Sequence, residues 1–359
     1  MIPNRIILFC PLDWGLGHAG RSVYYIRKLL EKGNRVIIAA DKTPLSFLRK
    51  EFPYLDWVRF PSYYRIRYSS IFPMPILAPF YFLKIIIGSA REHSFLKKLL
   101  KNHKPDIVIS DNRFGLWNKK YFTVYITHQI CIRMPQWAKF LEKPVYKLHR
   151  RIIRKYDRCW IPDNQGPDNL SGELSGKFPL PFNVSFTGIA SRFLLPENRS
   201  SQISIPYDIV VILSGPEPQR TILENKLLLF FQDSDKKIFF LRGKPEKTGI
   251  TPDKYNIKMS NHLPSGDISA LLSQAGTIIC RSGYTMLMDL AALNKKALLI
   301  PTPGQTEQEY LACYMVKCGR HISLSQNKIS ELRIKLEELD ALNPKPFMHN
   351  NDLFEKLDI

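Results

Sequence analysis

The 359-residue chain has only six cysteines, Cys10, Cys131, Cys159, Cys280, Cys313 and Cys318, and none stands in a CxxC or Cys/His ligand spacing. That leaves no zinc motif and no disulfide framework, so the thiols read as reduced core fillers of a cytoplasmic protein. Long hydrophobic runs are missing too. The longest, Phe72 to Ile87, is 16 residues and is interrupted by Pro73, Pro75, Pro79 and Lys84. A spanning helix needs roughly 20 apolar residues, so no transmembrane segment is expected. The N-terminus enters an apolar run directly, without the charged, apolar, small-residue order of an export signal. Acidic residues are scarce, 32 against 52 Lys and Arg, and the scarcity is local. Residues 1–180 hold 31 basic and 13 acidic side chains, residues 181–359 hold 21 and 19. Such asymmetry fits an anionic partner or plain solubility. No nucleic-acid module accompanies the basic residues, so nucleic acid is not expected as the partner.

What the chain does have is alternation. Runs rich in Ile and Val predict strands at 5–10, 35–40, 56–60, 106–110, 122–127 and 158–161, with helices at 20–32, 43–51, 80–101 and 136–156. After a Pro/Gly/Ser-rich passage at 166–181 the pattern resumes. Strands are expected at 183–187, 208–213, 237–242, 255–259, 277–280 and 297–300, and helices at 219–232, 267–275, 284–293 and 306–318. This is an α/β chain with two Rossmann-like parallel-sheet domains, 1–187 and 188–340, facing a central cleft. A tail, 341–359, is expected to pack back on the first domain. Ligands of such sheets sit at the carboxyl ends of the strands, so the residues just after each strand matter most.

After the first strand stands Gly15-Leu16-Gly17-His18-Ala19-Gly20, a literal G-x-G-x-x-G. Glycines let the backbone turn into the helix and leave N–H groups for an anion. A histidine there can serve as a base, since its ordinary pKa lies near neutrality, or can simply cap the helix. Asp111 follows the strand at 106–110 and His128-Gln129 the strand at 122–127. Asp111 reads as a partner for His18, as a base itself, or as a turn aspartate.

In the second half Ser214-Gly215-Pro216-Glu217-Pro218-Gln219-Arg220 follows one strand and Arg281-Ser282-Gly283-Tyr284-Thr285 another. Ser282-Gly283 at a helix start offers free N–H groups to a phosphate. A helix beginning near Tyr284 places Thr285 and Asp289 on one face, where the carboxylate can accept both hydroxyls of a ribose.

The stretch ICRSGYTMLMDLAALNKKALLIPTPGQTEQEYLA, with GLGHAGRS near the N-terminus, resembles the family 28 glycosyltransferases, the MurG-like members of the GT-B superfamily. The likeness runs from about residue 5 to 320 and is weakest over 50–105. It implies an inverting glycosyltransferase without metal or cofactor. A hexose or N-acetylhexosamine would pass from a nucleotide-sugar donor, UDP-linked, to a glycan or lipid-linked acceptor. The resemblance puts Asp289 on the ribose, in place of the usual Glu. It puts Arg281, Ser282, Gly283 and Thr285 in the phosphate turn, Arg192 near the phosphates, the Leu263 backbone on the uracil, and Gln305 and Gln308 on the donor sugar. His18 matches the acceptor-side base, presented by Gly15 and Gly17, and His128 lies near the acceptor. Ser214 and Gly215 stand where the family has a richer glycine loop. The two prolines there remove backbone donors, which would shift diphosphate contact to Arg220. These departures mark a divergent member.

Two rivals stay open at this point. Asp41 ends the second strand where a dinucleotide enzyme holds its ribose, but that reading leaves the RSG turn unexplained. A nucleotide-sugar hydrolase or epimerase fits the same scaffold, because fold does not fix chemistry. The literal D-x-D of Asp233-Ser234-Asp235 precedes a strand and reads as a solvated turn. Finally, 139–158 interleaves Lys139, Lys143, Lys147, Arg150, Arg151, Arg154, Lys155 and Arg158 with apolar residues. With the run at 72–87 it reads either as an ordinary core-facing helix or as a surface for the anionic inner face of the cytoplasmic membrane.

Overall fold

Parallel strands buried on both faces need continuous apolar runs, and Ile7, Leu8 and Phe9 are wholly buried in the first of them. The computed structural model describes residues 4–63, 74–195, 206–244 and 256–349. They form two units, one within Met1–Ala190 and one of Ser191–His349. The first contains β1 (Ile6–Pro11), α1 (Leu16–Glu31), β2 (Arg35–Ala40), α2 (Lys42–Glu51), β3 (Trp57–Arg59), α3 (Met74–His103), β4 (Ile107–Asp111), β5 (Phe122–Ile126), α4 (Glu142–Ile153), β6 (Arg158–Ile161), α5 (Glu173–Gly176) and β7 (Val184–Phe186). Its seven strands are ordered β3-β2-β1-β4-β5-β6-β7 and every pairing is parallel. The order reverses between β1 and β4, which makes their carboxyl ends the ligand position of this sheet.

The second unit contains β8 (Ile209–Ile212), α6 (Gln219–Phe230), β9 (Ile238–Leu241), β10 (Ile257–Ser260), α7 (Ser265–Gln274), β11 (Thr277–Cys280), α8 (Tyr284–Ala292), β12 (Leu298–Leu299), α9 (Thr306–Lys317), β13 (Ile322–Ser323) and α10 (Leu332–Ala341). The strand order is β10-β9-β8-β11-β12-β13, again parallel throughout, with the reversal between β8 and β11.

Two expectations change. The first helix begins at Leu16 and not near residue 20. Only Gly15 takes a left-handed backbone, φ +111, so Gly17 and His18 sit inside the first helical turn. The expected helix 136–156 divides into a 3-10 turn, Gln136–Leu141, and α4. Pro144 explains the break, because its ring clashes with a preceding turn and is accommodated only in the first turn of a new helix. In the run at 72–87, residues 72 and 73 lie outside the described residues, and α3 opens at Met74. Of the expected tail, Phe347 packs against the second unit, where its backbone N–H donates to Asn294 Oδ1 at 2.8 Å. Residues 350–359 lie outside the described residues.

Candidate functional site

At the carboxyl ends of β1, β4 and β5 the first unit assembles a charged cluster. Asp111 ends β4 and is wholly buried; Arg21, one turn along α1 from His18, is 1 % exposed. Arg21 Nε donates to Asp111 Oδ2 at 2.8 Å, and Arg21 Nη2 donates to Oδ1. The same Nη2 lies 2.8 Å from His18 Nδ1, and Nη1 lies 3.2 Å from the Nδ1 of buried His128. His18 Nδ1 is also 3.2 Å from Asp111 Oδ1, with part of the ring exposed. Burial alone would raise the Asp111 pKa, but the Arg21 guanidinium and His18 outweigh it and hold the carboxyl at about 2. Asp111 is thus a fixed carboxylate, too weak a base to take a proton near neutrality. His18 Nδ1 has two partners: in one tautomer it accepts from Arg21 Nη2, and in the other it donates to Asp111 Oδ1 and leaves Nε2 as the acceptor that a base needs. The turn after β4 is held by Asn112, whose left-handed φ of +58 is accompanied by a Tyr125 hydroxyl contact to its side chain at 3.0 Å.

Arg21 carries no weight in the sequence reading. A basic residue five positions into an amphipathic helix ordinarily faces water, and the placement of Asp111 opposite it is a long-range fact. The only signal was its i+3 spacing from His18, which puts both on one helical face.

The second unit is built differently. Gly283 caps α8, so the N–H groups after Ser282 begin the helix. Arg281, 1 % exposed, points away from that turn and ties loops together. Its Nη1 donates to the Ile300 and Pro301 carbonyls and its Nη2 to the Gln219 carbonyl and Gln326 Oε1. Burial lowers its pKa to about 10. The Ser282 hydroxyl donates to the Gln308 carbonyl at 2.7 Å, and Gln308 Oε1 accepts from the Thr302 N–H at 2.9 Å. Gln308 therefore braces the RSG turn against the loop after β12. Gln305 caps α9 beside it.

Thr285 and Asp289 lie four apart on α8, as a helix beginning at Tyr284 requires. Asp289 is 4 % exposed and accepts from the Ser191 hydroxyl at 2.6 Å. Burial raises its carboxyl above the ordinary value, against the opposing effects of Arg192 and Ser191. Arg192 Nη1 in turn donates to Ser265 Oγ at 3.1 Å. Gly215 turns with φ +98, and a Cβ there would come within 3.3 Å of Thr302 Oγ1. Ser214 is exposed, and Leu263 is half-buried in the loop between β10 and α7.

Arg220 is not placed as a phosphate ligand. It is buried and bound to Glu217 and to Glu224, 2.8 and 2.5 Å away, while Arg242 holds the other Glu224 oxygen. The charge of Arg220 is spent within the loop that replaces the family's glycines. Asp41, the residue of the dinucleotide reading, is buried and ion-paired with Arg59 at 2.7 Å. Asp233 and Asp235 are exposed and precede β9, at the amino end of the strand. Among the described residues no group of three or more His, Cys, Asp or Glu could hold a metal ion. No helix among them is long and apolar enough to cross a membrane.

Residues 211–358 match the model of the glycosyltransferase family 28 C-terminal domain. The second unit therefore carries a match to the C-terminal domain of the family 28 glycosyltransferases, and the chain as a whole resembles their divergent, MurG-like members. A UDP-N-acetylglucosamine–N-acetylmuramyl-(pentapeptide) pyrophosphoryl-undecaprenol N-acetylglucosamine transferase of Exiguobacterium sibiricum is 20% identical over 270 residues, covering 71% of this chain and 68% of that protein. Among solved structures, the glycosyltransferase of kitacinnamycin superposes with a TM-score of 0.64 at 15% identity, over 95% of this chain and 92% of the other. MurG of Acinetobacter baumannii does so with 0.53 at 14% identity, over 95% and 91%. These likenesses show the GT-B fold of two parallel-sheet α/β domains.

Proposed function

We propose that this glycosyltransferase moves a hexose or N-acetylhexosamine from a UDP-linked donor to a hydroxyl of a lipid-linked glycan, inverting the anomeric centre in one displacement. The observation that carries the reading is the buried Arg21–Asp111 pair against His18. It supplies a permanent carboxylate beside an imidazole in the loop-to-helix turn where the acceptor half of the reaction is expected. His18 Nε2 takes the acceptor proton as the oxygen attacks the anomeric carbon, the bond to the nucleoside diphosphate breaks, and Asp111 balances the imidazolium that forms. The donor belongs to the second unit. The diphosphate faces the N–H groups of Ser282–Gly283 and the Ser214–Gly215 turn, with Arg192 as the nearby cation. Asp289 receives the ribose, the Leu263 backbone the base, and Gln305 and Gln308 the donor sugar.

The lipid part of the reading rests on the surface of the first unit. On α4 Tyr146, His149 and Ile153 are buried, while Lys143, Lys147, Arg151 and Arg154 are exposed beside Leu148. The turn before it exposes Trp137 and Phe140, and α3 exposes Phe82, Leu83, Ile86 and Ile87. Basic and apolar side chains exposed together suit an anionic leaflet. Binding to anionic vesicles that salt reverses is the expected result; equal binding to neutral vesicles, or none, removes the membrane part.

The reading as a whole is tested by following nucleoside diphosphate release from a panel of nucleotide sugars, with and without polyprenyl-linked glycan acceptors. Release that depends on acceptor supports transfer. Rapid release in water alone identifies a hydrolase, and stabilisation by NAD in place of any nucleoside diphosphate overturns the donor site.

A further inference from the structure

The loop before α6 carries an anion of its own at the helix start. Glu217 Oε1 accepts from Arg220 Nε at 2.8 Å and from Arg220 Nη2 at 2.7 Å, and its Oε2 accepts from the Thr221 N–H at 3.2 Å. That N–H belongs to the first turn of α6, among the groups a helix start offers to an anion. Burial would raise the Glu217 carboxyl, but the bonds from Thr221 and Arg220 outweigh it and hold it below the ordinary value. The charge is therefore fixed near neutrality, and the side chain is 54% exposed, open to whatever meets the loop. Lys244 Nζ stands 4.0 Å from Glu217 Oε1, while Arg220 and Arg242 share Glu224 behind it. Two carboxylates thus answer three cations, and neutralising Glu217 would leave only one. Gly215 lies two residues before Glu217, a chain distance of at most about 7 Å. Charges that close are not screened away at ordinary salt, where the Debye length is about 8–10 Å.

We propose that Glu217 is a charge filter of the donor site, one that weakens the hold on the spent nucleoside diphosphate more than the hold on the donor. The donor's diphosphate is esterified at both ends. Transfer breaks the bond from its terminal oxygen to the sugar, and the freed phosphate then ionises once more, with a pKa of about 6. The product so carries one more negative charge than the donor and meets more repulsion from a fixed carboxylate. This inference rests on the placement of the diphosphate at the Ser214–Gly215 turn.

The test is calorimetric binding to the full chain, at low ionic strength and about pH 8, of UDP and its β-methyl ester, which lacks the last ionisation. A unit charge about 7 Å from another in water changes an equilibrium by about threefold. Glu217→Gln is expected to tighten both ligands, UDP by about threefold more than the ester, and added salt should shrink that difference. Arg220 keeps Glu224 in this variant, and a gain of affinity is not a result that misfolding can produce. Asp233→Asn makes the same charge change at the amino end of β9 and should leave the ratio of the two Kd values where it was. Equal tightening of both ligands, no tightening, or the same ratio change in Asp233→Asn overturns the inference. If neither UDP nor GDP binds, or if Gly215→Val binds UDP as the wild type does, the placement of the diphosphate itself fails and takes the inference with it.

Discussion

At the ends of β1 and β4 a buried arginine meets a buried carboxylate, whereas at the end of β11 a buried arginine meets only carbonyls and an amide. The first arrangement fixes charge: Arg21 keeps Asp111 ionised and places it against His18. The second fixes backbone: Arg281 and Gln308 hold loops so that N–H groups stand at a helix start, and the buried carboxylate nearby, Asp289, is pushed toward its neutral form. Proton transfer needs a stable charge beside an imidazole, while binding a diphosphate needs oriented dipoles and no competing anion. With the roles proposed above, the opposite shifts of Asp111 and Asp289 would match that division of labour.

The most damaging way to break the contrast is Arg21→Met. It leaves Asp111 buried without its counter-charge, and losses of this kind run to about 3–5 kcal/mol. Thermal unfolding should show that loss, and Arg21→Lys should recover only part of it, since an ammonium cannot bond both carboxylate oxygens in the same fork. A variant as stable as the wild type would mean that the pair does not hold the cluster together. His18→Ala attacks only the proposed chemistry. Its ring is partly exposed, so stability should hold while turnover falls by about 10²- to 10⁴-fold, the usual contribution of a general base. Unchanged turnover would move the base elsewhere.

Most of the architecture was legible before any coordinates. Strands such as Ile6–Pro11 and Ile107–Asp111 are buried on both faces, and that demands apolar runs that no other element explains so economically. The strand-end residues were legible for the same reason, because parallel sheets place ligands there. What was not legible is which partner each charged side chain chooses. Arg220 looked available for phosphate because Glu224, one turn on, gave no sign of being its buried partner. Nothing local marks Arg21 as buried, because Asp111 lies 90 positions away in sequence. Gly17 looked like a loop residue, since glycine weakens helices on average, yet Gly15 alone makes the turn. Pairing across a sheet is set by topology, and local pattern carries no record of it.

A matched pair of amide substitutions sharpens the comparison further. Asp111→Asn should destabilise at pH 7 by about 1–3 kcal/mol, since a charged hydrogen bond to Arg21 is lost. Asp289→Asn should leave stability unchanged or slightly higher, because it removes a charge that burial disfavours. The pH dependence follows the same signs. Asp111 falls from an ordinary 3.8 to about 2 in the folded chain, so its stabilisation is complete above about 4 and is lost as pH falls toward 2. The Asp289 carboxyl is raised, so its burden is relieved as pH falls through its folded value. Denaturant titrations at several pH values, wild type against each variant, check both. Equal signs for the two variants would erase the distinction.

The smallest expected effect falls on Thr302, after β12. Its hydroxyl is buried and has no hydrogen-bond partner among the described residues, and it faces the Gly215 turn. An unpaired buried hydroxyl is a cost, so Thr302→Val should be neutral or should stabilise the free protein, by up to about 1 kcal/mol. If the hydroxyl has no role, nucleotide affinity will stay as it was. If the Gly215 turn receives the diphosphate, Thr302 is the one donor there whose partner is supplied only by the ligand. The valine should then weaken UDP binding while leaving the melting temperature level or raised. Separating those two readouts is what the comparison asks of the second unit. A substitution that helps the empty protein while hurting the loaded one is the signature of a buried hydroxyl kept for a bound anion.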